Sequence, residues 1–139
     1  VAEEPMLLVR TQVRPSPIEG LGLFAARPIP KGTITWAFDP RFDLLFDAEE
    51  VERLPPLQRD LMLRHGYLSI QLHKYVLCAD DARFWNHSAN PNNAQILRPG
   101  DVEPANVAVR DIAAGEELTV DYRTFDAVDA TSGEAWLSR

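Results

Sequence analysis

The chain has 139 residues, 45% of them hydrophobic, enough for one continuous core in a single domain spanning 1–139. Its 14 basic and 21 acidic residues leave a formal charge of -7, which argues against a nucleic-acid partner and suits a basic peptide. Cys78 is the sole cysteine, so neither an intramolecular disulfide nor a thiolate zinc cluster can be assembled, and no apolar run approaches the roughly 20 residues of a membrane span.

In chain order, Val1 to Arg10 carries two glutamates and a proline and does not read as a signal peptide, which together with the single cysteine implies an intracellular protein, cytoplasmic or nuclear. Short apolar and β-branched runs follow: "MLLVRTQV" (6–13), "LGLFAAR" (21–27) and "TITWAF" (33–38). The turns "RPSPIEG" and "PIPKG" separate them, because proline presets φ and glycine accepts conformations closed to other residues. The stretch 47–66 differs. Asp47 with Glu50 three residues on resembles a capping box, and Pro55 and Pro56 end one helix and start a second. Leu57, Leu61 and His65 share a face of that second helix, and Gly66 supplies its stop. The strand pattern resumes with "YLSIQL" (67–72), "YVLCA" (75–79), "NAQIL" (93–97), "NVAVRD" (106–111) and "ELTVDY" (117–122). This spacing predicts a mainly β domain of several small sheets with a helical insert at about 47–66. The tail, 123–139, carries Phe125 and Trp136, which need a surface to pack on.

Three motifs carry chemistry. Gly20 and Gly22 bracket Leu21 ahead of an apolar strand; a plain turn explains this as well as a ligand laid against bare backbone does, and the third glycine and helix of a dinucleotide fingerprint are missing. In "RFWNHSANPN" (83–92), Asn86 offers a donor and an acceptor and His87 a ring nitrogen, although Asn-His-Ser also suits a cap or turn. No metal site is expected, since His65, His73 and His87 lack ligand-like spacing. In "VRDIAAGEELTVDY" (109–122), a strand, a glycine turn and a second strand put Leu118, Val120 and Tyr122 on one face. The tyrosine ring then points inward, as a core or a site residue, with its hydroxyl seeking a partner.

Taken in order, the Gly-x-Gly-Leu-Phe turn, "RFWNHSANPN" and "IAAGEELTVDY" resemble the SET-domain family of protein lysine methyltransferases over about residues 10–125. The resemblance implies a fold of short curved sheets in which the Asn-His-Ser segment and the final Asp-Tyr strand meet in a knot-like crossing. It implies S-adenosyl-L-methionine as cofactor and methyl transfer to the ε-amino group of a lysine in a protein or peptide, with the acidic charge favouring a lysine in a basic segment. Asn86 would bind the cofactor's amino-acid end and His87 its adenine end through the backbone. The Gly20-Leu21-Gly22 turn would lie along it, Arg83 and Phe84 would support the pocket, and Tyr122 would be catalytic. Phe38, with Phe125, would line the lysine channel. Many relatives carry cysteine where Ala89 stands and a zinc-bearing tail; here Trp136 or Phe125 would close the cofactor site without metal. A SET-fold module that binds basic segments without activity is the alternative.

Overall fold

Small sheets share the work of the fold, and each hands the chain to the next after a few residues. The computed structural model describes residues 6–139; the first five residues of the stretch read above as no signal peptide, and of the 1–139 domain, lie outside the described residues. The strands are β1 (Met6–Leu7), β2 (Thr11–Pro15), β3 (Leu21–Ala25), β4 (Ile34–Ala37) and β5 (Asp43–Phe46). Helices α1 (Ala48–Glu52) and α2 (Pro56–His65) come next, then β6 (Tyr67–Leu68), β7 (Tyr75–Cys78), β8 (Asn86–His87), β9 (Asn93–Ile96), β10 (Ala105–Ala108), β11 (Thr119–Val120) and helix α3 (Ala127–Ser132). They form an antiparallel sheet ordered β1-β4-β10-β9, a hairpin β2-β3, an antiparallel sheet β5-β7-β6 and a parallel pair β8-β11, with no closed barrel.

The core sits where these sheets face one another. Leu23, Trp36, Val76, Trp85, Ile112, Leu118 and Val120 are all buried in it. β3 reads as a continuous apolar run because both of its faces are covered. One edge pairs with β2, and the other exchanges bonds with residues 115–118: Leu118 N–H reaches the Leu23 carbonyl at 2.7 Å and Ala25 N–H the Glu116 carbonyl at 2.8 Å.

Several expectations are corrected. The run 6–13 is two strands in two sheets, because the chain crosses over when Leu7 N–H bonds the Asp80 carboxylate and Leu8 N–H the Thr35 carbonyl. The runs 67–72 and 117–122 shorten to two-residue strands, each followed by a tight turn. Asp47 makes no side-chain cap; its carboxylate pairs with Lys74 at 3.3 Å instead. The expected apolar face of α2 is turned to solvent, with Leu57 83% and Leu61 47% exposed, and Met62 is the residue it buries. Gly66 has extended backbone (φ -88°) and no left-handed cap. It is needed for space, since a Cβ there would lie 2.7 Å from the Met62 carbonyl oxygen. β5 and α3 were not anticipated.

Asp43 opens β5 fully buried, its Oδ2 taken by the Asp39 N–H at 2.8 Å. Burial pushes its carboxyl up to about 6, with the neighbouring Asp80 and Asp39 charges adding to the push. The folded state therefore favours the protonated form, so the contribution is complete below the ordinary value of 3.8 and is lost as pH rises through about 6. Asp43→Asn keeps an acceptor for Asp39 N–H and cannot ionise. Relative to wild type, its urea unfolding free energy should gain on the order of 2 kcal/mol between pH 4 and pH 7; parallel curves would show that ionisation of Asp43 costs the fold nothing.

Candidate active site

The Asn-His pair is a strand because it runs parallel to the end of the chain's last strand: Asn86 pairs with Thr119 and His87 with Val120. Parallel neighbours need a long connection, and residues 88–118, which include the β9-β10 hairpin, provide it. Ahead of β8, Asp80 caps the 3₁₀ turn Asp81–Phe84 by accepting from Ala82 N–H, and so fixes where Arg83 and Phe84 project.

His87 is buried and bonded at both ring nitrogens. Tyr122 N–H donates to Nδ1 at 3.0 Å, and Nε2 lies 2.7 Å from the Leu137 carbonyl oxygen. Because Nδ1 accepts, the proton sits on Nε2 and is donated to Leu137. The imidazole thus holds the backbone of Tyr122 on one side and the tail on the other. Tyr122 continues inward from buried Leu118 and Val120, and its hydroxyl donates to the Trp85 carbonyl at 2.6 Å. Burial first, then the carboxylates of Glu19, Asp129, Asp126 and Glu117, hold that hydroxyl well above the ordinary tyrosine range, so it stays protonated.

The Asn86 amide nitrogen lies 2.8 Å from Glu117 Oε2 and near the carbonyls of Glu19 (3.2 Å) and Leu21 (3.1 Å). Glu117 also accepts from Ser16 Oγ at 2.7 and 2.8 Å. This carboxylate explains Gly22, where a Cβ would stand 2.3 Å from Glu117 Oε2. Gly20 has φ +46°, the left-handed region that favours glycine.

A cavity of about 510 Å³ opens beside this assembly. Arg83, Tyr122, Phe125 and Trp136 stand on its wall. Asn86, His87 and the Gly20-Leu21-Gly22 turn lie behind the wall, which they reach through Glu19 and Tyr122. Phe38 and Phe84 pack on the core and are not among the wall residues; Phe84 lies just behind two that are, His65 (ring centroids 6.1 Å apart) and the Arg83 guanidinium (5.0 Å). Sequence reasoning missed Tyr67 and Trp36, both on the wall; the only signal for Tyr67 was an aromatic residue opening a strand just after the glycine stop. Charge is sorted across the cavity. His65 is held below its ordinary value by burial and then by Arg83 and Arg64, whereas Tyr122 is surrounded by carboxylates. Among the described residues, three buried side-chain atoms lack a partner, and two of them, the indole nitrogens of Trp36 and Trp85, belong to wall residues. A buried N–H without an acceptor costs about 1–3 kcal/mol, a local cost the fold bears beside the cavity.

The SET domain profile matches residues 20–123, and the chain belongs to that family. In fold it is similar to a Plasmodium falciparum protein assigned as a candidate histone methyltransferase, at 17% identity and a TM-score of 0.57, over 81% of this chain and 91% of that one. It is also similar to a chain of the apo ctPRC2 assembly with two substitutions in its Ezh2, at 21% identity and a TM-score of 0.66. That match takes in 89% of this chain and 16% of the larger one. No curated protein matches by sequence.

Gly22→Ala should drive the Glu117 carboxylate off Asn86 and lower unfolding free energy by about 1–3 kcal/mol in urea titration. Most of the clash is with the Glu117 side chain and the rest with Ser16 Cβ, 2.9 Å away, so adding Gly22→Ala to Glu117→Ala should cost less than it costs in wild type. An equal cost in both backgrounds would place the role of Gly22 elsewhere.

Proposed function

We propose that the chain is a protein-lysine N-methyltransferase that uses S-adenosyl-L-methionine and acts on a lysine within a basic segment of a protein or peptide. The observation that carries this reading is Tyr122. Its hydroxyl sits on the cavity wall, anchored on the Trp85 carbonyl, while its backbone is held by the imidazole of the neighbouring Asn-His strand.

The cavity suits the cofactor in two respects. Glu19, whose carbonyl Asn86 fixes, stands on the wall as an anion for an ammonium group, and Arg83 stands there as a cation for a carboxylate. Arg83 and Glu19 would hold it from the wall, Asn86, His87 and the Gly20-Leu21-Gly22 turn would brace that wall from behind, and Trp136, edge-on to His87 at 5.3 Å, would close the site without metal. When bound, the cofactor supplies an electrophilic methyl group on a sulfonium.

The chain's own residues do the rest. Glu19, Asp126 and Asp129 line the cavity and draw in a cationic side chain. A free lysine has a pKa near 10.4, and transfer out of water into the aromatic wall of Tyr67, Phe125 and Tyr122 favours its neutral form. The Tyr122 proton is committed to the Trp85 carbonyl, so the phenolic oxygen is left to accept from the amine N–H and orient the nitrogen lone pair. Positioning of this kind supplies much of the acceleration in a displacement that needs no strong base. Among the described residues no helix is long and apolar enough to cross a membrane, and Cys78 is free and buried.

Saturating S-adenosyl-L-methionine should raise the melting temperature, because a ligand that binds only the folded state stabilises it. No shift would favour the SET-fold module without activity. Tyr122→Phe should leave cofactor binding intact and lower stability by about 1 kcal/mol through loss of the bond to Trp85. Turnover with labelled cofactor and a panel of basic proteins should fall a hundredfold or more, roughly 2.7 kcal/mol of transition-state stabilisation. Transfer within a few-fold of wild type, with cofactor bound, would remove Tyr122 from the chemistry.

A further inference from the structure

Glu103 precedes β10 and is 2% exposed, yet among the described residues no lysine, arginine or histidine forms an ion pair with it. Two hydroxyls satisfy it: Tyr67 Oη donates to Oε2 at 2.8 Å and Ser69 Oγ to Oε1 at 2.8 Å. Both carboxyl oxygens accept, which is the pattern of the ionised form. Burial lifts the Glu103 carboxyl above its ordinary value, and the two hydroxyl bonds offset only part of that rise. Burial, followed by the Glu103 charge, raises the Tyr67 hydroxyl, so the phenol remains the donor.

The bonds continue from Glu103 to the cavity wall. Ser69 forms a bridge with Asp126, and Ile70 N–H bonds the Phe125 carbonyl at 3.0 Å. The Tyr67 ring meets Phe125 edge-on at 4.9 Å, and Phe125 meets Tyr122 at 5.8 Å. One buried carboxylate therefore sets three aromatic rings of the wall. A glutamine could accept through one oxygen only, because its amide nitrogen donates, so a carboxylate is the group that receives both hydroxyls. A phenol that donates to a carboxylate gains electron density on its ring, and an electron-rich ring attracts cations more strongly.

Building on the lysine reading above, we propose that Glu103 is a positioning residue that holds and enriches the Tyr67 ring so that it captures the ammonium group of the incoming substrate lysine, before that group gives up a proton to water and the neutral amine moves on to Tyr122. Glu103 touches no substrate and acts through Tyr67.

The test compares N-acetyl-lysine amide with its neutral isostere N-acetyl-norleucine amide as ligands, titrated into protein with ¹³C-labelled tyrosine and phenylalanine rings and followed by NMR. In Glu103→Gln the lysine probe should bind about fivefold more weakly while the norleucine probe is unchanged, a difference of the size a partly desolvated cation–π contact carries. Tyr67→Phe should give the same selective loss, and the double variant no more than either single one. Equal losses for both probes, or a lysine affinity unchanged in folded Glu103→Gln and Tyr67→Phe, would overturn the proposal and leave the methyltransferase reading standing. If wild type fails to prefer lysine over norleucine, the cavity is not an ammonium site and both readings fall together.

Discussion

The His87 imidazole joins three distant parts of the chain. Its Nδ1 receives the backbone N–H of Tyr122, its Nε2 faces the Leu137 carbonyl, and its own strand pairs with β11. Each bond fixes something the cavity needs: the depth at which the Tyr122 ring hangs, the seating of the tail that carries Trp136, and the single tautomer that makes the other two bonds compatible. Ala89 N–H adds a second tie to the tail at the Arg139 carbonyl, 2.7 Å away. A ring with the nitrogens at these two angles is hard to replace. Asparagine or glutamine offers an acceptor and a donor, but on one amide carbon, and cannot span the two backbones.

Around that joint the site is built from acceptors. Glu117 collects Ser16 and Asn86, Glu103 collects Tyr67 and Ser69, and the Trp85 carbonyl takes the Tyr122 proton. Burying carboxylates is unfavourable unless donors surround them, and here hydroxyls and an amide serve where arginines would be more common. Arginine serves two other carboxylates, with Arg41 reaching in from the surface to buried Asp39 and Arg123 pairing with Asp121. The interior thus keeps a negative potential that an acidic composition alone would not guarantee.

Much of this was legible in the sequence, and what was not follows one physical rule. Period-two alternation put Leu118, Val120 and Tyr122 on one face, and the order of three motifs identified the family, because both are local properties of the chain. Partners brought from afar were invisible. Gly22 reads as an open ridge for a ligand until Glu117, far along the chain, is seen filling the space beside it. Asp47 reads as a helix cap until Lys74 draws it away. Tyr67 gains its place from Glu103, and α2 turns Leu57 outward because Met62 docks instead. Phe38 follows the end of β4 and packs on the core, whereas Trp36, inside β4 and paired with Asn106, stands on the cavity wall.

The parallel pairing of β8 and β11 across residues 88–118 bears on how the molecule comes into being. Contacts between segments far apart in sequence form late and slowly, because the entropy of closing the loop must be overcome before any of them is rewarded. On a ribosome, Asn86 and His87 emerge well before the strand they need, and His87 finds its second backbone partner only when Leu137 has followed. The nascent chain therefore holds His87, Trp85 and the carboxylates around them without their later partners until residues 117–137 have followed. Those carboxylates, uncommitted until the end, keep such a chain apart from its neighbours by charge repulsion, so the acidity that later fills the cavity first serves to keep the unfinished protein in solution.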